Sequence, residues 1–174
     1  MLRLLNALYK IAGGIAAAAI VAITMLVSAQ VCLNILARIG GPDWSYTIPS
    51  YADFAGFLLA AATFFALAHT LRAGGHIRVN LAVQAAPPAV RWALELAALT
   101  LGVAVAGTAT WFCIDLVAES LRYGDMSTGI VAVPLWIPQL PMVIGLALLT
   151  VALLHTLAEA IIARAPILKD QGSE

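Results

Sequence analysis

Apolar residues in this chain run almost unbroken between widely spaced charges, and four of the runs are long enough to matter to a membrane. A helix needs about 20 apolar residues to cross the hydrocarbon core. The first run is uncharged from Ile11 to Ala37, interrupted only by Thr24, Ser28, Gln30 and Asn34. The second lies between Asp53 and Arg72 (54–71), the third covers about 92–117 and the fourth about 142–163. The pattern predicts an all-α integral membrane protein, one domain over 1–174 with four transmembrane helices. Between the second and third runs lies a polar hinge, 72–91, and after the fourth a polar tail, 164–174.

Lysine and arginine set the expected orientation, because short cytoplasmic loops are enriched in them. Arg3, Lys10, Arg72, Arg78, Arg91, Arg164 and Lys169 fall on one side, and only Arg38 and Arg122 on the other. Both termini and the hinge are therefore expected in the cytoplasm, an N-in, C-in layout. Trp44, Tyr46, Tyr51, Tyr123 and Trp136 would then sit near the outer interface, and Tyr9 and Trp92 near the inner one. Within the hinge, Gly74-Gly75 and Pro87-Pro88 bracket a segment whose Ile77, Leu81 and Ala85 share one helical face, which predicts an amphipathic interfacial arm.

Composition agrees with a lipid environment. Of 174 residues, 63% are hydrophobic and only 10% charged, too little polar surface to cover a soluble globule. A net charge of zero argues against nucleic acid as a partner. Cys32 and Cys113 lie within apolar runs without metal-ligand spacing, so they read as inert thiols. The first run is too long for the apolar region of a cleaved signal peptide.

Candidate chemistry is sparse. No charged residue lies mid-span, where a stand-alone ion-coupled transporter would be expected to place one. Asp115 and Glu119, with Arg122 to pair with Glu119, form either a solvated or interface-level ion pair or a contact for an external partner. Glu95 is expected to pair with Arg91, one turn away; Glu159 and His155, also one turn apart, read as a structural pair or subunit contact in preference to a proton relay. Small residues recur four apart at Gly13/Ala17, Gly14/Ala18, Gly56/Ala60, Ala62/Ala66 and Gly102/Ala106, serving either packing within the chain or a face for another protein. Pro138 and Pro141 mark a helix start or a bent pre-helix; an unwound ion site would need a second discontinuous segment. No catalytic motif is present, and the chain reads as a non-enzyme without a cofactor. The alternative is a redox-complex membrane anchor holding haem or quinone through histidines, but His69 and His155 differ in expected depth by about 9 Å, which disfavours one shared iron.

The run Asp53-Phe-Ala, an Ala- and Phe-rich helix, then Arg72-Ala-Gly-Gly-His76-Ile-Arg78-Val-Asn80-Leu resembles the small membrane subunit of tripartite ATP-independent periplasmic (TRAP) transporters. Val133-Pro134-Leu135-Trp136-Ile-Pro138-Gln-Leu-Pro141-Met-Val-Ile-Gly145 is similar to that family's second block, and Arg38 matches the arginine closing its first helix. The likeness extends over roughly 10–160. It departs at Ala52, where family members often carry an acid, and at Asn80, where they often carry aspartate.

The resemblance implies a bacterial inner-membrane scaffold for a large, elevator-type membrane subunit, which holds the substrate and sodium sites. A periplasmic binding protein would deliver a small organic acid or related solute. Arg38, Asp53, His76, Arg78, Asn80, Trp136 and Pro138 are the expected contacts to that subunit or to lipid. Asp115, Glu119 and Arg122 are the expected contacts to the periplasmic partner. Arg38 and Asp53, at opposite ends of one loop, are further expected to pair.

Overall fold

The computed structural model describes residues 2–74 and 87–163, with side chains from Leu4 onward. Four long helices form: α1 (Leu2–Gly40), α2 (Tyr51–Arg72), α3 (Pro88–Tyr123) and α4 (Trp136–Ala163), with one 3-10 turn at Pro42–Trp44. All four are long and apolar enough to cross a membrane. Among the described residues there is no strand, only an isolated antiparallel bridge between Met126 and Pro134.

Helix length exceeds apolar length at both edges. The 39 residues of α1 and 36 of α3 are about 58 and 54 Å long at 1.5 Å per residue. The uncharged part of α3, Leu96 to Ile114, is about 28 Å, close to the hydrocarbon thickness of about 30 Å. Its two charged ends therefore overhang. Pro88 starts α3 with the fixed φ suited to a first helical position, and Gly124, at φ 69°, ends it in the left-handed conformation.

The helices form an open row rather than a closed bundle. α1 packs along α2, α2 along α4 and α4 along α3; the other pairs touch marginally or not at all. Burial along the edge helices explains this. In α1 the shielded positions are Leu5, Tyr9, Ala12, Ala16, Ala19, Ile23, Leu26 and Gln30, spaced alternately four and three. In α3 they are Trp92, Leu96, Leu99, Val103, Ala106, Thr110, Cys113, Val117 and Ser120, with the same spacing. That 3.5-residue seam serves one neighbour and leaves the rest of each helix open. Ile11, Ile15, Met25, Leu101, Val105, Trp111 and Phe112 are accordingly exposed, as suits side chains that meet lipid or another subunit.

The two inner helices come into close backbone contact at Gly145 of α4. A Cβ there would collide with the Phe64 backbone of α2, so glycine is what lets the helices meet at that level. Pro141 lies inside α4, in its second turn, rather than ahead of it. The helix starts before it at Trp136, with Ile137 N–H bonded to Pro134 O at 3.1 Å and Gln139 N–H to Leu135 O at 3.2 Å.

Candidate functional site

Polar contacts between the described helices gather near the helix ends, apart from Thr110 Oγ1 of α3 and Thr150 Oγ1 of α4, which lie 3.3 Å apart at mid-span. At the Arg72 end, Arg72 in the last turn of α2 reaches Glu159 of α4. Its Nη1 donates to Glu159 Oε2 at 2.6 Å and its Nη2 to Oε1 at 3.3 Å. Nη1 also donates to Thr156 Oγ1 at 3.1 Å, and Thr156, fully buried, donates onward to Ala152 O at 2.9 Å. One guanidinium thus clamps two successive turns of α4. His155 approaches the same carboxylate, Nε2 to Oε1 3.4 Å, but neither ring nitrogen has a hydrogen-bond partner although the side chain is only 10% exposed. Tyr9 of α1, 2% exposed, adds a further polar group whose hydroxyl is also unpartnered. Around this cluster Trp92 Nε1 donates to Ala160 O at 2.9 Å, joining α3 to α4, and the His69 ring lies over Gly13, joining α2 to α1.

At the Asp53 end, two loops are tied together. Gln30, buried on the α1 seam, donates to Asn34 Oδ1 at 2.9 Å and accepts from Ile48 N–H at 2.8 Å, holding the α1–α2 loop against its helix. Ser50 adopts the left-handed conformation, φ 54°, rare for a residue with a side chain. Its Oγ accepts from Val131 N–H at 2.9 Å, across to the α3–α4 loop. The Asp53 carboxylate packs against Gly129 of that loop so closely that a Cβ at Gly129 would overlap it. An open cavity of about 330 Å³, lined by Thr47, Ser50, Asp53 and Thr128 among others, lies between the loops.

Several expectations meet the structure here. His155 and Glu159 do lie together, but the stronger partner of Glu159 is Arg72. Arg38 and Asp53 form no ion pair: Arg38 is exposed at the end of α1, while Asp53 turns to Gly129. Arg122 does not pair with Glu119; its guanidinium lies 5.9 Å from the Tyr123 ring centroid, and Asp115 and Glu119 are exposed. Trp136 and Pro138 open α4, partly buried. His76, Arg78 and Asn80, the interfacial arm and the 164–174 tail lie outside the described residues. Of the paired small residues, Gly13 faces His69 and Gly102 faces Leu153, whereas Gly14 and Gly56 look into open space. The described residues contain no group of three His, Cys, Asp or Glu side chains able to hold a metal ion.

The Arg72–Glu159 clasp escaped the sequence reading because its partners are 87 residues apart. A signal was present nonetheless: Arg72 closes the second apolar run, and Glu159 is the acid nearest the same end of the fourth. Opposite charges at matched depth in lipid are expected to find each other.

A family model described as "Tripartite ATP-independent periplasmic transporters, DctQ component" matches residues 23–163, most of the chain and all of α2, α3 and α4. The chain belongs to this family. It is a small membrane subunit of a TRAP transporter, a multi-pass inner-membrane protein of the system that also comprises a large membrane subunit and a periplasmic binding protein. No curated protein and no solved structure matches it. The contacts at both ends fall within the matched residues except for Tyr9 and Gly13, which precede them.

Proposed function

We propose that this TRAP subunit is a non-catalytic scaffold that braces the large membrane subunit during sodium-driven import of a small organic acid or related solute. One observation carries the reading: the four described helices form a single open row, pinned by polar clasps near the helix ends and by one uncharged hydroxyl contact, Thr110 to Thr150, between α3 and α4 at mid-span. Such a row encloses no pathway, and its long uncharged middles offer no ion site. The wide apolar faces of α1 and α3 suit contact with a larger membrane partner and with lipid.

In this reading both termini are cytoplasmic, following the lysine and arginine bias, so the Arg72 end is inner and the Asp53 end outer. His76, Arg78 and Asn80 belong to an arm at the cytoplasmic interface, where Arg78 meets lipid phosphate or the large subunit. Arg38, Asp53, Trp136 and Pro138 frame the outer end against the large subunit or lipid. Asp115, Glu119 and Arg122, on the overhanging end of α3, face the periplasmic binding protein.

The test is reconstitution. Proteoliposomes holding both membrane subunits, supplied with the loaded binding protein and a sodium gradient, should take up solute, and those holding this chain alone should not. Uptake by this chain alone, or full uptake by the large subunit without it, would overturn the scaffold reading.

A further inference from the structure

The Arg72–Glu159 clasp has an unused competitor for its carboxylate. Arg72 holds Oε2 at 2.6 Å but Oε1 only at 3.3 Å, and His155 Nε2 stands 3.4 Å from that same Oε1. His155 lies one turn before Glu159 on the same helix, a spacing at which side chains meet. Both of its ring nitrogens are unpartnered in a site that is nine-tenths shielded, which marks a group whose bonding is incomplete.

We propose that His155 is a proton-operated release for the clasp joining α2 to α4. When neutral, it leaves Glu159 to Arg72 and the two inner helices are held together at this end. When it takes a proton from water, its Nε2–H donates to Oε1 and displaces the 3.3 Å Arg72 Nη2 bond, so the carboxylate is shared between α4 and α2 and the clasp keeps only its Oε2 bond. The added positive charge also stands beside the guanidinium, which stays protonated throughout. The clasp therefore loosens as pH falls.

The groups around the imidazole on each packed element fit this exchange. α1 brings the buried, unpartnered hydroxyl of Tyr9, which carries no charge to oppose it. α2 brings Arg72, with His69 one turn earlier turned to Gly13 of α1. α4 itself brings Thr156 and Glu159. α3, packed on α4, brings the Trp92 indole, bonded to Ala160 O, with Arg91 beside it and Glu95 three residues on along the same helix. The site lies at the end of α2 where its apolar run closes at Arg72. Calling that end cytoplasmic rests on the orientation proposed above, but the tests below do not depend on it.

The first test uses the full chain in lipid nanodiscs, carrying Cys32→Ser and Cys113→Ser, with spin labels at Ala73→Cys and Ala163→Cys, both exposed near this end. Between pH 8 and pH 5.5 the label separation should shift by about 1–2 Å, the scale of helix shifts at packed interfaces. His155→Gln should abolish the shift. Glu159→Gln should give the loosened separation at both values. No shift with His155 present, or a shift that persists in His155→Gln, overturns the proposal. Thermal melting of the unlabelled chain gives an independent readout. Glu159→Gln should lower Tm clearly at pH 8 and less at pH 5.5, where the clasp is already weakened; an equal loss at both values also overturns it.

Discussion

Tyr9 shows how much of this protein's polar chemistry is decided one atom at a time. Its ring belongs to the apolar seam of α1, yet its hydroxyl is buried without a partner beside an ion pair. A buried polar group lacking a hydrogen bond costs about 1–3 kcal/mol. Tyr9→Phe keeps the ring and removes that cost, so the variant should melt at the same temperature or higher; a clear fall would show that the hydroxyl is bonded in the membrane. At this scale the sequence was a poor guide wherever partners are distant. His155 and Glu159 were legible because a helical turn separates them. Ser50, Gly129 and Val131 were not, since their contact depends on where two loops end. Arg38 and Asp53 misled for a related reason: ten residues of loop separate their helices, and Gln30 and Ser50 dictate its path instead of the two charges.

At the scale of the element, the helices themselves were readable as apolar runs between charges, because lipid penalises an unpaired charge far more than any propensity term. Their ends were not. An apolar run measures the hydrocarbon crossed, whereas a helix continues until something stops it, and α1 and α3 continue well beyond their runs. Which faces meet was also hidden in an alanine-rich chain, where many small residues are four apart and few of them matter. Gly145 is the one that brings α2 and α4 together, and it was absent from the small-residue pairs. Gly145→Ala should therefore push the inner helices apart and cost about 1–3 kcal/mol, the usual penalty of overpacking. Gly102→Ala should be far milder, since its Cβ would meet only the flexible Leu153 side chain at 3.4 Å. Thermal melting of the two variants in one detergent makes the comparison, and equal losses would contradict the packing described for the α2–α4 interface.

At the scale of the whole molecule, an open row of helices implies that part of this subunit's stability comes from what surrounds it. The family places a large membrane subunit and a periplasmic binding protein in the same system. The charges that overhang α3 are the ones free to reach the soluble partner in the proposed orientation. Asp115 and Glu119 are exposed, unpaired with Arg122, and beyond the uncharged stretch that matches the hydrocarbon. Exposed charges act mainly through long-range attraction, which salt screens within about 8–10 Å at physiological strength. Docking of the binding protein on the reconstituted two-subunit complex should therefore weaken as salt rises. Asp115→Asn with Glu119→Gln should lower the association rate and flatten its salt dependence, while leaving the melting temperature of the complex unchanged. Surface-plasmon resonance on immobilised nanodiscs, run at two salt concentrations, measures both. Association that ignores salt and both substitutions would remove this end of α3 from the docking surface, while leaving the scaffold role to be judged by reconstitution.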